Sequence, residues 1–176
     1  MKKQFIILTL ITVLFCTPVV SKSFSTNRVW HSQNWSVFVE DSLCWIVAGP
    51  SETKATRNGK SVIVNRSDIQ LFATFVPSED IYGQISFTSG YPFKNRSVVK
   101  VSVGSSEHIL LQTEEEWAWL WVPSQEKENE ALLKSLRRGV TALVSGTSSR
   151  GTRTRDTFSL LGFSAAFAEA QKRCGT

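Results

Sequence analysis

Histidine and cysteine are scarce in this sequence, and that limits its chemistry. The 176 residues include only two histidines, His31 and His108, and three cysteines. His, Cys, Asp and Glu do not come together at the spacings of a metal site, and no Gly-x-Ser-x-Gly segment offers a hydrolase nucleophile. We therefore predict no catalytic residue, no metal site and no cofactor.

Long apolar runs are also missing, apart from one near the start. Residues 5–15 are almost purely apolar and follow Lys2 and Lys3, which is the pattern of a secretory signal peptide. The run is shorter than the roughly 20 residues of a spanning helix, and no comparable run follows. We predict a signal peptide over residues 1–21, cleavage after Ser21 or Ser23, and a mature domain over 24–176 without a transmembrane segment.

The charge is modest and indicates no polyanionic partner. Removing Lys2 and Lys3 with the signal peptide lowers the formal net charge from +5 to +3. A nucleic-acid-binding protein normally keeps a dense basic face, so we exclude that class. A phosphate-binding loop is excluded too, because Thr152 stands where the lysine should follow Gly146 and Gly151.

Two cysteines remain once Cys16 leaves with the signal peptide. Bulky Phe15 stands where a lipid-attachment signal needs a small residue, so we do not expect lipidation at Cys16. In an oxidising compartment the remaining pair, Cys44 and Cys174, indicates a disulfide. The alternative is two buried free thiols.

Alternating apolar residues predict strands through most of the mature chain. The predicted strands are residues 35–40, 43–47, 69–76, 84–88, 99–103, 109–112, 113–121 and 140–144. Two polar segments, 49–60 and 145–156, are predicted as loops.

Two helices complete the predicted fold. One follows Ser124 and ends at Gly139, with glutamates in its first turns and basic residues in its last. The other is C-terminal, and its apolar residues recur at steps of three and four. The stripe predicted to be buried contains Leu160, Phe163, Phe167, Ala170 and Cys174. We thus expect a mainly β domain, sandwich-like or barrel-like, with a mid-chain and a C-terminal helix.

Three tryptophans stand out because they occupy every second position of one segment. Trp117, Trp119 and Trp121 follow three glutamates, and the period of two places their rings on one face of a strand. We favour rings that fill the core, because exported monomers seldom expose so much apolar surface. The alternative is an exposed aromatic strip that binds a sugar or a partner.

Three arginines form the basic concentration that no helix end explains. Arg150, Arg153 and Arg155 lie in the predicted 145–156 loop. We favour a structural role in which Arg153 or Arg155 pairs with Asp156. The alternative is that the three guanidinium groups bind an anionic partner, such as a lipid phosphate or an acidic glycan.

Several short segments, in this order, resemble the invasion associated locus B family of exported proteins from Gram-negative bacteria. They are Cys-Trp-Ile-Val at 44–47, Gly-Tyr-Pro-Phe at 90–93, Ala-Trp at 118–119, Leu-Arg-Arg-Gly at 136–139, Ser-Arg-Gly-Thr at 149–152 and Asp-Thr-Phe-Ser-Leu at 156–160, followed by Gly-Phe at 162–163 and Ala-Ala at 165–166. The resemblance implies a β domain in the periplasm or at the outer membrane. Founding members are linked to bacterial invasion of host cells, and the family offers no catalytic residues to carry over.

The sequence therefore favours an exported, non-enzymatic protein, periplasmic or surface-associated, that binds an envelope or host-cell component. The second hypothesis is a host-interaction factor that binds carbohydrate through the tryptophan strip. The third is a hydrolase whose site assembles only in three dimensions. The sequence does not indicate an oligomeric state.

Overall fold

A computed structural model describes residues 27–121 and 124–175. The signal peptide predicted for residues 1–21 lies outside them. The strands are β1 (Arg28–Ser32), β2 (Trp35–Glu40), β3 (Leu43–Ala48), β4 (Glu52–Arg57), β5 (Lys60–Ser61), β6 (Gln70–Val76), β7 (Ile81–Thr88), β8 (Val99–Val103), β9 (Ser106–Leu110), β10 (Gln112–Glu114), β11 (Trp117–Trp119), β12 (Thr141–Thr147) and β13 (Arg153–Ser159), and the helices are α1 (Glu126–Arg138) and α2 (Phe163–Cys174).

The strands form two antiparallel sheets. The first sheet has the order β1-β2-β3-β6-β7-β11-β10, and the second has the order β5-β4-β13-β12-β8-β9. Neither order returns to its first strand, so the fold is a sandwich and not a closed barrel. The prediction of a mainly β, sandwich-like domain with two helices is confirmed, and the barrel-like alternative is wrong.

The core lies between the two sheets and is made by alternate residues of each strand. In β6 the inward residues Leu71, Ala73 and Phe75 are fully buried, while their neighbours along the strand are half-exposed. Across the core, the Phe87 ring of β7 meets the Phe158 ring of β13 edge-on, with 6.1 Å between centroids. The sheets thus interdigitate as the alternating patterns predict.

Helix α2 covers the part of the first sheet's inner face that the second sheet leaves open. Phe163 meets Trp35 edge-on at 4.8 Å between centroids, and Phe167 lies 5.1 Å from Phe75. All five residues of the predicted apolar stripe are buried. Leu160 precedes the helix, however, because Gly162 adopts the left-handed conformation, with φ 92°, and starts the helix there. Neither helix within the described residues is long and apolar enough to cross a membrane.

Cys44 of β3 and Cys174 of α2 form the predicted disulfide, with 5.9 Å between their Cα atoms. The bond joins residues 130 positions apart. It fixes the C-terminal end of α2 to the centre of the first sheet, so the pairing predicted from the cysteine count is confirmed.

Helix α1 docks on β7 through a buried amide. Asn129 is 4% exposed; its Oδ1 accepts a hydrogen bond from the Ile85 backbone N–H at 2.9 Å, and its Nδ2 donates to the Gly83 carbonyl at 3.0 Å. Gly83 lies at a register shift between β6 and β7 and has φ 87°. A Cβ there would lie 2.7 Å from the Phe167 ring, so only glycine fits.

Three sequence-based assignments are wrong. The segment 49–60 contains β4, whose polar residues are tolerated because only Ala55 is buried. The segment 145–156 is the tip of the β12–β13 hairpin, where Ser145 pairs with Arg155. The segment 113–121 is not one strand either, because the chain reverses at Glu115, with φ 49°, between β10 and β11.

Removing the disulfide should destabilise the protein. We expect Cys174→Ser to lower the free energy of unfolding by about 2–5 kcal/mol, because the unfolded chain regains the entropy of a long open loop. Urea unfolding of oxidised wild type and variant measures the difference. Reducing the wild type should have a similar effect, and two reactive thiols in unfolded, unreduced protein would contradict the bond.

The Phe167 ring should be a large contributor to stability. Phe167→Ala removes a buried ring and leaves a cavity, so we expect a loss of about 3–5 kcal/mol in the free energy of unfolding. Leu161→Ala is the matched control, since Leu161 is 57% exposed and its truncation should change stability by less than about 0.5 kcal/mol. Equal effects for the two variants would show that α2 is not anchored by its aromatic stripe.

Candidate functional site

The three tryptophans of the predicted strip do not fill the core. Trp117 is 41% exposed and Trp121 is 53% exposed, and Trp119 is half-buried, while Ala118 and Leu120 between them are fully buried. The favoured prediction of core rings is therefore wrong. The period of two correctly placed Trp117 and Trp119 on one face, but the small and medium residues point inward and the large rings point out.

The exposed rings extend into an aromatic strip on the outer face of the first sheet. The Phe72 ring of β6 lies 5.5 Å from Trp117, and Phe38 and Trp45 stack nearly parallel at 5.5 Å on β2 and β3. Trp119 lies in register with Ser86 on β7, which is paired with Phe72. We define the outer aromatic strip as Phe38, Trp45, Phe72, Trp117 and Trp119.

A shallow groove runs along one end of this strip. Its volume is about 540 Å³. We call it the tryptophan groove, and its lining consists of Thr74, Gln84, Ser86, Glu114, Glu115, Trp117 and Trp119. It therefore combines two indole faces with two carboxylates, one amide and two hydroxyls. Trp121 lies outside it, beyond the end of β11.

The three arginines of the predicted cluster are separated by the hairpin. Arg153 and Arg155 are exposed on the outer face of β13, where Thr154 and Asp156 alternate with them and are buried. Arg150 lies in the hairpin turn and lines a different cavity, together with Thr152 and Thr154. The period of two correctly placed Arg153 and Arg155 on one side, but Arg150 does not join them.

Asp156 is fully buried, and its partner is Arg66 rather than a neighbouring arginine. Arg66 donates from Nη1 to Oδ1 at 2.6 Å and from Nη2 to Oδ2 at 2.8 Å. Its Nε donates to the Ser89 carbonyl at 2.8 Å, and its guanidinium lies 4.9 Å above the Tyr91 ring. The prediction of an Arg153 or Arg155 pair is wrong, since both side chains point away from the interior.

Burial dominates the electrostatics of this pair. Removal from water raises the pKa of the Asp156 carboxyl, and the Arg66 hydrogen bonds and charge lower it again in part. Burial likewise raises the pKa of the nearby Tyr91 hydroxyl, which shares a hydrogen bond with Thr154. The pair is thus a structural ion pair enclosed by the fold.

The two histidines do not combine with each other. His31 is exposed on β1 of the first sheet, while His108 lies on β9 of the second, with its Nε2 2.9 Å from the Ser135 hydroxyl. Burial lowers the pKa of His108. Across residues 27–121 and 124–175, no three His, Cys, Asp or Glu side chains gather as a metal site would require.

Sequence reasoning missed Arg66, Asn129 and the two phenylalanines of the outer aromatic strip. Phe38 and Phe72 alternate with buried residues along β2 and β6, so their outward position could have been read from the same pattern. No local signal marks the pairing of Arg66 with Asp156, because 90 residues separate them.

The architecture and the disulfide define a class, a disulfide-linked β-sandwich with two helices that pack against its first sheet. The model of the invasion associated locus B protein family matches residues 124–171, which include α1, β12, β13 and most of α2. The fold is similar to the crystal structure of the invasion associated protein B from Bartonella henselae, with a TM-score of 0.52, 12% identity, and coverage of 82% of this chain and 96% of that one. No curated protein matches the chain.

The family-model match over residues 124–171 supports the invasion associated locus B family, so the resemblance predicted from the sequence is confirmed. At 12% identity the solved structure shows the fold alone. The function must therefore be argued from the surfaces of this chain.

The Arg66–Asp156 pair should be essential to stability. Asp156→Asn or Arg66→Gln should each lower the free energy of unfolding by about 3–5 kcal/mol, because the remaining charge is buried without its partner. Chemical denaturation measures the effect.

The control for the pair is Glu52→Gln, which breaks the exposed ion pair with Lys54 and should change stability by less than about 1 kcal/mol. The double variant Arg66→Gln/Asp156→Asn should be less destabilised than the sum of the single variants. Strict additivity would mean that the two side chains do not act as a pair.

Proposed function

We propose that this protein is an exported, non-catalytic binding protein of the cell envelope or surface, and that it binds carbohydrate through the tryptophan groove. The observation that carries the proposal is the exposure of Trp117 beside the polar lining of the groove. Of the hypotheses raised by the sequence, this favours the carbohydrate-binding one.

The composition of the groove suits a sugar. One face of a pyranose ring is apolar and packs on an indole, which offers a large, rigid contact surface. The hydroxyls at the rim of the ring need acceptors and donors, and Glu114, Glu115 and Gln84 provide both. A few polar groups around an aromatic surface are what orient a small ligand in a binding site.

Binding rather than hydrolysis is favoured by the position of the carboxylates. Glycoside hydrolysis needs one carboxyl enclosed in an apolar pocket as the acid and a second across the scissile bond. Glu114 and Glu115 are both exposed and adjacent in the chain, Glu114 at the end of β10 and Glu115 in the turn to β11. They can accept hydrogen bonds from a ligand, but neither has the enclosure of a general acid.

The compartment is supported by the disulfide. Disulfides form and persist in oxidising environments such as the periplasm or the cell surface, and Cys44–Cys174 is such a bond. The predicted signal peptide supports the same compartment. Export places the tryptophan groove among envelope and extracellular glycans.

The test is a titration with soluble oligosaccharides built from glucose, galactose, mannose or N-acetylglucosamine, followed by tryptophan fluorescence and calorimetry. At least one sugar should bind wild type, and Trp117→Ala should weaken that binding about tenfold or more, because it removes the most exposed stacking face of the groove. Gln84→Ala should weaken it less.

Trp121→Ala is the matched control, because Trp121 is at least as exposed as Trp117 but does not line the groove. It should leave the affinity unchanged. If no sugar binds folded wild type, or if both tryptophan variants bind as well as wild type, the groove is not a carbohydrate site.

A further inference from the structure

A second concave surface lies at the tip of the β12–β13 hairpin, away from the tryptophan groove. It is enclosed by three segments, the hairpin turn at 148–154, the turn at 90–92 and the crossing segment at 63–66. Its volume is about 490 Å³. We call it the hairpin cleft, and it shares no lining residue with the tryptophan groove.

The hairpin cleft is lined by cations without matching carboxylates. Arg57, Arg66 and Arg150 all contribute to its wall, and among the residues that the structure describes no Asp or Glu does. Asp156, behind the wall, neutralises Arg66, so two positive charges remain. On the second sheet's outer face, by contrast, Lys54 pairs with Glu52 and Lys100 with Glu107.

The Arg57 guanidinium is held in place by the Thr152 hydroxyl. Its Nε and Nη2 donate to the Thr152 hydroxyl oxygen at 3.0 and 2.7 Å. Thr152 is 4% exposed, and its backbone N–H donates to the Ser148 hydroxyl at 3.1 Å. Arg57 lines the cleft, and its Nη1 group makes no hydrogen bond within the described part of the chain, so this group is free to donate to a ligand. Fixing a donor in advance reduces the entropy that a ligand must offset.

Arg150 provides the second donor group. It is exposed at the hairpin turn, and it makes neither an ion pair nor a hydrogen bond with any residue that the structure describes. The next residue, Gly151, has φ 78°, and this left-handed conformation reverses the chain between β12 and β13. The Ser148 hydroxyl, which accepts from Thr152, can still donate its own hydrogen. Two guanidinium groups and a hydroxyl therefore line one small cavity.

We propose that the hairpin cleft binds a phosphate group, with Arg57 and Arg150 as its charged donors and Ser148 as a neutral one. A phosphate monoester carries a charge of about −1.5 to −2 near neutral pH and three strong acceptor oxygens. The two uncompensated arginines match that charge, and their planar forks match the oxygens. A carboxylate would match only half of the charge.

The experiment is calorimetric titration of the mature, oxidised protein with inorganic phosphate at low salt. Wild type should bind it, with an affinity that falls as the salt concentration rises. Arg150→Gln should weaken binding about tenfold or more, and this variant loses no hydrogen bond or ion pair to the described residues. Arg57→Gln should do the same, with thermal unfolding to confirm that the hairpin remains folded.

Arg153→Gln is the matched control. It removes the same charge from the same hairpin, but its side chain lies on the outer face of β13, outside the cleft. It should bind phosphate like wild type, and so should Trp117→Ala. If wild type does not bind phosphate at low salt, or if Arg153→Gln loses as much affinity as Arg150→Gln, the cleft is not a phosphate site.

A second, competition experiment identifies the molecule that carries the phosphate group. Phosphatidic acid vesicles, whose headgroup is a phosphate monoester, would indicate a lipid headgroup if they displace inorganic phosphate from wild type. Displacement by a sugar phosphate but not by vesicles would indicate a small ligand. Either result supports the site, and failure of both to compete with bound phosphate would overturn its assignment as a site for phosphate-bearing ligands.

Discussion

The Arg66–Asp156 ion pair is the interaction on which the path of the chain between the two sheets depends. After β5 the chain leaves the second sheet and enters the first at β6, and Arg66 lies on that crossing segment. A buried guanidinium is strongly unfavourable unless it is paired and hydrogen-bonded. Asp156 on β13 and the Ser89 carbonyl give each of its three nitrogens one acceptor, so the crossing segment must follow a path that brings Arg66 to both.

The same pair organises the surface above it. Its guanidinium lies over the Tyr91 ring, and the backbone N–H of Ser67, the next residue, donates to Gly90. The turn at 89–91 is therefore fixed from both sides. That turn and the crossing segment form two of the three walls of the hairpin cleft, so the shape of the cleft follows from a structural ion pair whose arginine is part of its wall.

The sequence predicted the strands whose two faces differ and missed those whose faces are both polar. In β6, Leu71, Ala73 and Phe75 alternate with half-exposed residues, and the period of two is plain. In β4 only Ala55 is buried, because this strand lies next to the edge of its sheet and close to the turn at 57–60. Its position is set by pairing with β13, almost 100 residues later in the chain, and pattern reasoning has no access to that pairing.

The candidate surfaces were predicted in part, for the same reason. Alternation places Trp117 and Trp119 together, and likewise Arg153 and Arg155, because it is a local property of a strand. It does not say which face turns inward, and for β11 the inward place is filled by Ala118. It also cannot join Arg57 to Thr152, which are 95 residues apart. Local periodicity thus predicts which residues share one side of a strand. Long-range strand pairing decides whether that side faces the core or the solvent.

The docking of Asn129 on β7 also bears on how the protein behaves at high concentration. Strand β11 pairs with Ser86, Phe87 and Thr88 at the C-terminal end of β7, and the next residue, Leu120, donates from its backbone N–H to the Ile85 carbonyl at 3.3 Å. The Ile85 N–H and the Gly83 carbonyl lie beyond that pairing. Unpaired strand groups are a template for a second chain and a common origin of aggregation. The Asn129 amide makes hydrogen bonds to two of those groups, the Ile85 N–H and the Gly83 carbonyl. Helix α1 therefore protects this part of β7 from pairing with a second chain and also contributes to the core.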